Sequence, residues 1–203
     1  MLKYYLLPLA IVICCGCRQN KKNGNDTTHA VKLADTAGQK PVPSEQLIVP
    51  GESIGSISIN ENADSVYKKL GKPDTIDAAM GKAVSTWFVG HHAKGYKTQI
   101  FFSRQMGMAD DTSRVKQVCI NSPVFKMMDY TGVGTSMQSI TSAAEFSLKK
   151  VGAYIQGGQA FFIYDDAKAG IAFEFNAKNI CSRVILHEPG KAFRMAVWLG
   201  SME

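Results

Sequence analysis

The sequence predicts an α+β domain made of two tandem helix–β-hairpin repeats. The first observation is an internal match between ISINENADSVYKKLGKPD, which begins at Ile57, and SITSAAEFSLKKVGAYI, which begins at Ser139. The second is that strand-like runs separated by turn residues follow each segment. The third is a proline that closes each copy, Pro123 in the first and Pro189 in the second. The order of helix, strands and closing proline therefore occurs twice.

Each matching segment is predicted to form a short amphipathic helix. Small polar residues favour the start of a helix, and glycine favours its end. The residues predicted to cap and stop the two helices are Asn60 or Asn62, Thr141 or Ser142, Gly71 and Gly152.

Three runs in each copy have the β-branched and aromatic composition of strands. In the first copy they are KAVSTWFVG, YKTQIFFS and RVKQVCINSPVF, and in the second they are QAFFIYDD, AGIAFEFN and NICSRVILHEP. When the closing prolines are aligned, Val118 matches Val184 and Ile120 matches Leu186.

Two segments share a short motif ahead of their predicted helices. GESIGSISINENADSVYKKLGKPD and GVGTSMQSITSAAEFSLKKVGAY each place a glycine-led turn before a helix. The single motif resembles the small outer-membrane assembly lipoproteins of the SmpA/OmlA type, and the tandem arrangement resembles the β-lactamase-inhibitor-protein fold. The resemblance implies helices packed on one face of a curved antiparallel sheet. It also implies binding to another protein of the envelope.

The amino terminus has the pattern of a lipoprotein signal peptide. Lys3 precedes an apolar run of twelve residues from Tyr4 to Cys15, which is too short to span a bilayer as a helix. Gly16 and Cys17 then stand at an abrupt change to polar sequence. Cys17 is therefore the predicted lipid attachment site, and its acyl chains, palmitate among them, would hold the protein on a membrane.

The predicted organisation has four parts. Residues 1–16 are the signal peptide, and residues 17–49 are the lipidated cysteine and a flexible tether. Residues 50–129 are the first helix–β repeat, and residues 130–203 are the second repeat with a C-terminal extension. The tether is poor in large apolar residues, and thirty such residues span about 30 Å on average. CRQNKK lacks acidic residues after Cys17, which favours the periplasmic side of the outer membrane.

The charge balance excludes a nucleic-acid-binding surface as the predicted function. The chain carries a net charge of +6, but from Pro50 onward there are 17 basic and 14 acidic side chains. A small excess spread over a domain is not the dense basic patch that nucleic acid requires.

No residue pattern specifies a catalytic, metal or cofactor site, and we predict none of the three. His91 and His92 are adjacent, so on a strand they point to opposite faces and do not share a metal. His187 has no obvious partner. The acidic pairs Asp110–Asp111 and Asp165–Asp166 are typical of turns.

Cys119 and Cys181 remain after the signal peptide is removed. An oxidising compartment favours a disulfide between them, and two unpaired thiols are the alternative. Alternation along the strand places Cys119 on the sheet face opposite the one that Val118 and Ile120 share. It likewise places Cys181 on the face opposite Val184 and Leu186. Both thiols are therefore predicted to lie on the sheet face that the helices do not cover.

Aromatic side chains supply the candidate binding face. Neighbours such as Phe101 and Phe102 cannot both pack under the helices, so one member of each pair faces the other side of the sheet. If nothing covers that side, it carries an exposed aromatic patch. The alternative is that the C-terminal segment KAFRMAVWLGSME folds over it. The residues predicted to form the binding face are Trp87, Phe101, Phe162 and Tyr164.

The sequence thus favours a membrane-anchored envelope lipoprotein that binds an envelope protein without catalysing a reaction. Two alternatives stay open: an inhibitor-like or small-ligand-binding periplasmic lipoprotein, and an envelope hydrolase. A hydrolase would bring His91, His92 or His187 together with Asp or Ser in a pocket. A ligand-binding protein would enclose a cavity.

Lipidation of Cys17 is directly testable. Cells fed an alkyne-bearing palmitate analogue are expected to label the wild-type protein and not the Cys17→Ala variant, because only the cysteine accepts acyl chains. The measurement is in-gel fluorescence after dye coupling, with intact mass of the mature chain as the control. An unlabelled wild-type protein would contradict the assignment.

Overall fold

A computed structural model describes residues 40–107, 109–144 and 146–193 of the chain. The predicted signal peptide, Cys17, most of the predicted tether and residues 194–203 of the C-terminal extension lie outside the described residues. The first element is a 3-10 turn at Ser44–Gln46, ahead of residue 50, and Ile48 is already part of the core.

The described elements follow one another as two helices and eleven strands. The short first sheet contains β1 (Ile48–Val49), β2 (Ser53–Ile54) and β3 (Ile57–Ser58). Helix α1 (Ala63–Leu70) leads to β4 (Thr75–Ala79), β5 (Lys82–Phe88), a 3-10 turn at Val89–His91, β6 (Lys97–Ser103) and β7 (Arg114–Ile120). Helix α2 (Met137–Ala143) leads to β8 (Lys149–Gln156), β9 (Gln159–Asp166), β10 (Ile171–Asn176) and β11 (Cys181–His187).

The second sheet has eight antiparallel strands in the order β4-β5-β6-β7-β11-β10-β9-β8. Strands β4 to β7 therefore form one meander and β8 to β11 form another. The two meanders meet where β7 pairs with β11, with Ile120 opposite Val184 and Val118 opposite Leu186. Strands β4 and β8 lie at the two edges.

The predicted fold class, α+β with helices packed on one face of tandem helix–β-hairpin repeats, is wrong. The described chain is mainly β, since its two helices have eight and seven residues against an eight-stranded sheet. The second predicted helix ends early: KKVGAYIQ is strand β8. Its β-branched and aromatic residues, Val151, Tyr154 and Ile155, favour an extended backbone.

The helix ends confirm some of the predicted caps and correct others. In α1 the Asn62 side chain accepts a hydrogen bond from the Asp64 N–H at 2.7 Å, and Gly71 is the C-cap with φ of 75°. In α2 the N-cap is Ser136, not Thr141 or Ser142, and the C-cap is Ala144. Gly152 does not stop a helix because it lies within β8.

The six predicted strand runs contain β5, β6, β7, β9, β10 and β11, and these predictions are confirmed. The prediction missed the two edge strands, β4 and β8, and the three two-residue strands. All five residues of β4 are exposed, so its sequence lacks the alternation that marks a half-buried strand.

The larger core cluster lies on the sheet face that α1 and α2 contact. Val66 of α1 and Ile140 of α2 are fully buried there. They pack with sheet residues that include Phe102, Phe173 and Phe175. Tyr67 also reaches the sheet, and its hydroxyl lies 2.9 Å from Ser85 Oγ.

Three segments that are distant in sequence meet closely at Gly170. A methyl group at this position would lie 2.6 Å from the His187 carbonyl oxygen and 2.9 Å from Gly51 Cα. The backbone of Gly170 has φ of +70°, which also disfavours any side chain. This contact fixes the β9–β10 turn against the end of β11 and the turn between β1 and β2.

Gly170→Ala is expected to destabilise the fold more than Gly157→Ala. Gly157 also has positive φ but no atom within 4 Å of the added methyl group, so its variant loses only about 1–2 kcal/mol. Crowding at Gly170 adds about 1–3 kcal/mol. Urea denaturation of the non-lipidated chain measures both losses, and equal losses would show that the contact is not close.

Candidate functional site

The four aromatic residues predicted to form a binding face do not share one surface. Trp87 and Tyr164 pack with the larger core cluster, and Trp87 donates a hydrogen bond from Nε1 to the Gly71 carbonyl at 3.1 Å. Phe101 lies on the opposite face, where it is 6% exposed. Phe162 is half-buried beneath Lys150. Alternation along β6 explains why Phe101 lies on the face opposite Phe102.

The face opposite the helices carries a second, smaller apolar cluster. Its buried members are Phe101, Cys119, Ile163, Ala172 and Ile185. Phe193, six residues beyond the end of β11, packs against this cluster. The start of the C-terminal segment therefore covers part of this face, which was one of the two alternatives for KAFRMAVWLGSME.

A buried carboxylate organises polar side chains beside the smaller cluster. Glu174 is 2% exposed and accepts hydrogen bonds from the Tyr154 hydroxyl at 2.5 Å and the Ser182 hydroxyl at 2.6 Å. Arg183 lies directly opposite on β11, with Nη1 3.5 Å from Glu174 Oε2. Burial and the Glu174 carboxylate raise the pKa of Tyr154, so the phenol stays a donor. The network supplies the partners that a buried charge requires.

His187 and Asp165 form a second buried polar pair, which the sequence did not reveal. His187 Nε2 lies 2.8 Å from Asp165 Oδ1, and His187 Nδ1 lies 3.1 Å from the Glu188 carbonyl oxygen. Asp165 Oδ2 also accepts the N–H of Phe193 at 3.3 Å. Both ring nitrogens thus face acceptors, and no hydrogen bond joins either nitrogen to a described serine. The pair ties the end of β11 to β9 and to the segment that follows.

A cavity of about 360 Å³ opens next to this pair. Its lining includes the charged residues Asp110, Arg114, Lys116, Glu188 and Lys191. These charges are already matched: Glu188 accepts from Lys116 at 3.0 Å and from Lys191 at 2.7 Å. Arg114 lies 3.0 Å from Asp110. The cavity is polar, and each of its charged side chains has an ion-pair partner, although Lys116 and Lys191 share the single Glu188 carboxylate.

The acidic pairs are partly explained by turns, as predicted. Hydrogen bonds from the Thr112 side chain and from Arg114 lower the pKa of Asp110 to about 2. Asp166 accepts backbone N–H groups from Ser147, Lys168 and Ala169 at 2.7–3.1 Å. Asp165 departs from the prediction because its partner is His187.

The other two histidines within the described residues, His91 and His92, lie at the surface. His91 Nδ1 is 2.7 Å from Asp74 Oδ1, and Asp74 also accepts the Phe88 N–H at 2.7 Å. His92 is exposed next to His91. Within the described ranges no three His, Cys, Asp or Glu side chains form a group that could hold a metal ion.

Cys119 and Cys181 are both buried free thiols, so the candidate disulfide is not formed. Cys119 lies in the smaller cluster, opposite Val118, as alternation predicted. Cys181 lies in the larger cluster together with Val184, which corrects the prediction. The reason is a β-bulge: Glu174 pairs with Arg183 but Phe175 pairs with Cys181, so Ser182 is an extra residue that reverses the side. Burial raises the pKa of Cys119 to about 11.

The outer edge of β8 is the most exposed apolar feature of the second meander. Val151 is 44% exposed and Ile155 is 77% exposed. Lys149 and Lys150 precede them, and Lys150 Nζ lies 4.4 Å from the centre of the Phe162 ring. In the described chain β8 has a neighbour on one side only, which is β9. The sequence contained these residues but did not show that they end a sheet.

The described helices include none that is long and apolar enough to cross a membrane. No family model matches the chain, and no curated protein matches it.

Two solved structures have distant similarity to the chain. One is the DUF4309 family protein YjgB of Bacillus subtilis, with 12% identity and a TM-score of 0.40 over 68% of this chain and 88% of that one. The other is an extracellular protein containing an SCP domain from Bacillus anthracis. It has 10% identity and a TM-score of 0.41 over 77% of this chain and 50% of that one. The resemblance to outer-membrane assembly lipoproteins stays a prediction.

The Glu174 network predicts unequal effects of two substitutions. Glu174→Ala is expected to lower the free energy of unfolding by about 3–5 kcal/mol, because it removes a buried carboxylate that pairs with Arg183 and accepts from Tyr154 and Ser182. Tyr154→Phe removes one hydrogen bond and should cost about 1 kcal/mol. Urea denaturation measures both values, and a loss below about 1 kcal/mol for Glu174→Ala would contradict a structural role for the carboxylate.

Proposed function

We propose that this protein is a lipid-anchored envelope protein that binds another protein through the β8 edge of its larger sheet and catalyses no reaction. The observation that carries the proposal is the outer edge of β8. Val151 and Ile155 are exposed there, and no strand in the described chain forms hydrogen bonds with that edge. Unpaired edges present N–H and C=O groups that readily accept another strand. The edge replaces the aromatic face as the proposed binding surface.

The proposed lipid anchor and tether would hold this edge close to a membrane. We propose lipid attachment at Cys17, on the periplasmic side of the outer membrane, because the apolar run, Gly16 and the abrupt polar change fit a lipoprotein signal. A tether of about thirty residues gives a reach of about 30 Å. Confinement to a membrane raises the effective concentration of a partner in the same envelope.

The cavity beside His187 supports a binding or catalytic role less well than the edge does. Each charged side chain of its lining is already in an ion pair, so a charged ligand would have to compete with existing ion pairs. Both nitrogens of His187 face acceptors, whereas a general base needs a nitrogen directed at the proton it removes.

Site-specific photocrosslinking tests the proposal. The full-length lipoprotein would carry a benzophenone amino acid in place of Ile155, in cells of the source organism. The control carries it in place of Met128, which is 83% exposed in the loop between β7 and α2. We expect one envelope protein to form an adduct at position 155 and not at position 128.

Mass spectrometry of the adduct identifies the partner. The same adduct in equal yield at both positions would argue against the edge. Absence of any protein adduct at position 155 would argue against the binding function itself.

A further inference from the structure

The charges of β8 point to the kind of partner that fits its edge. We propose that β8 accepts an extended acidic segment of the partner as a ninth strand, antiparallel to β8. Its acidic residues would lie beside Lys149 and Lys150. This inference rests on the proposed protein-binding function and adds the chemistry of the partner.

The length of β8 suits strand addition. It has eight residues, which at roughly 3.3 Å per residue extend over about 26 Å. Its inner side pairs with β9 from Lys149 opposite Asp165 to Gln156 opposite Gln159. In a strand paired on one side, alternate residues direct their N–H and C=O groups away from the partner. Such a row is what an added strand binds.

The strand has two different halves. A register shift between Lys150 and Gly152 leaves Val151 as an extra residue, so the first half is bulged. From Gly152 to Gln156 the pairing with β9 is regular. Ile155, in this regular half, is 77% exposed. An incoming strand would therefore pair along the regular half and place an apolar side chain beside Ile155.

The bulged half supplies uncompensated positive charge. Lys149 and Lys150 are exposed, and neither forms an ion pair with a described carboxylate. Asp165 lies opposite Lys149, but its two oxygens accept from His187 Nε2 and the Phe193 N–H. Lys150 Nζ lies over the Phe162 ring. Two neighbouring cations at one end of an open edge are complementary to acidic residues on the added strand.

The direction of the added strand follows from the sheet. Every pairing in the eight-stranded sheet is antiparallel. A ninth strand that continues this pattern runs opposite to β8, so its carboxyl end lies beside Lys149 and Lys150. We therefore expect the acidic residues of the partner segment at its carboxyl end and apolar residues before them.

Lysines and bulges on edge strands also have a protective role, because they discourage two edges from pairing with each other. The two roles differ in what happens when the charge is removed. If the lysines only protect the edge, a protein with a neutral edge would self-associate. If they recognise the partner, a protein with a neutral or acidic edge would lose its partner and stay monomeric.

The test combines charge reversal with the crosslinker at position 155 in the full-length protein. Lys149→Glu with Lys150→Glu is compared with Lys72→Glu with Lys94→Glu. The control pair lies at exposed positions, one between α1 and β4 and the other between β5 and β6, and changes the net charge equally. We expect the β8 pair to lower the adduct yield at least tenfold and the control pair to change it less than twofold. Equal yields in the wild-type protein and both variants would overturn the acidic-partner proposal.

A peptide measurement separates this inference from the proposed function. The probe is a fluorescent eight-residue peptide of alternating Val and Thr with two Asp residues at its carboxyl end, and the control peptide has two Lys residues there. Fluorescence anisotropy is expected to show at least tenfold tighter binding of the Asp peptide, with the preference reversed by Lys149→Glu and Lys150→Glu.

Two results would overturn the inference while leaving protein binding in place. One is an adduct at position 155 together with equal binding of both peptides. The other is a Lys149→Ala, Lys150→Ala variant that forms dimers in sedimentation and keeps its adduct yield, because the lysines would then only protect the edge. If the protein that carries the crosslinker at position 155, with both lysines intact, formed no adduct, that result would instead reject the proposed function.

Discussion

The pairing of β7 with β11 is the connection on which the rest of the domain depends. The other strand pairs of the large sheet join neighbours within one meander, whereas this pair joins the two meanders. Val118, Ile120, Val184 and Leu186 meet there, each at most 1% exposed. Separating the strands would expose this apolar row and the backbone groups of both strands together, which is costly in two independent ways. The edges, the buried carboxylates and both clusters take their positions from this central register.

The strands that are buried in the fold are also the strands that the amino-acid sequence predicts. Central strands such as β6 and β10 carry runs of buried apolar residues, so their composition alone identified them. The edge strands were missed because neither contains a buried residue, so neither carries the apolar run that marks the central strands. KKVGAYIQ also contains residues compatible with a helix, and its strand structure depends on pairing with β9, which local sequence does not encode. The predicted helix layer failed for the same reason.

The candidate site depended on geometry that alternation cannot supply. A single extra residue, Ser182, moved Cys181 to the face opposite Cys119. His187 and Asp165 are 22 residues apart and meet only through the order β11-β10-β9. Alternation did place Phe101 and Phe102 on opposite faces. What it could not show is that Phe193 returns to cover one of those faces, or that β8 ends the sheet.

The central register also has a consequence for the order in which the chain is made. Strand β7 is complete at Ile120, but β11 begins at Cys181, about sixty residues later. At roughly 5–20 residues per second, synthesis takes about 3–12 s to cover that distance. During this time the first meander has no partner for the apolar side chains of β7. A nascent chain halted between the two meanders would expose the unpaired outer edge of β7, to which an edge strand of another chain could pair.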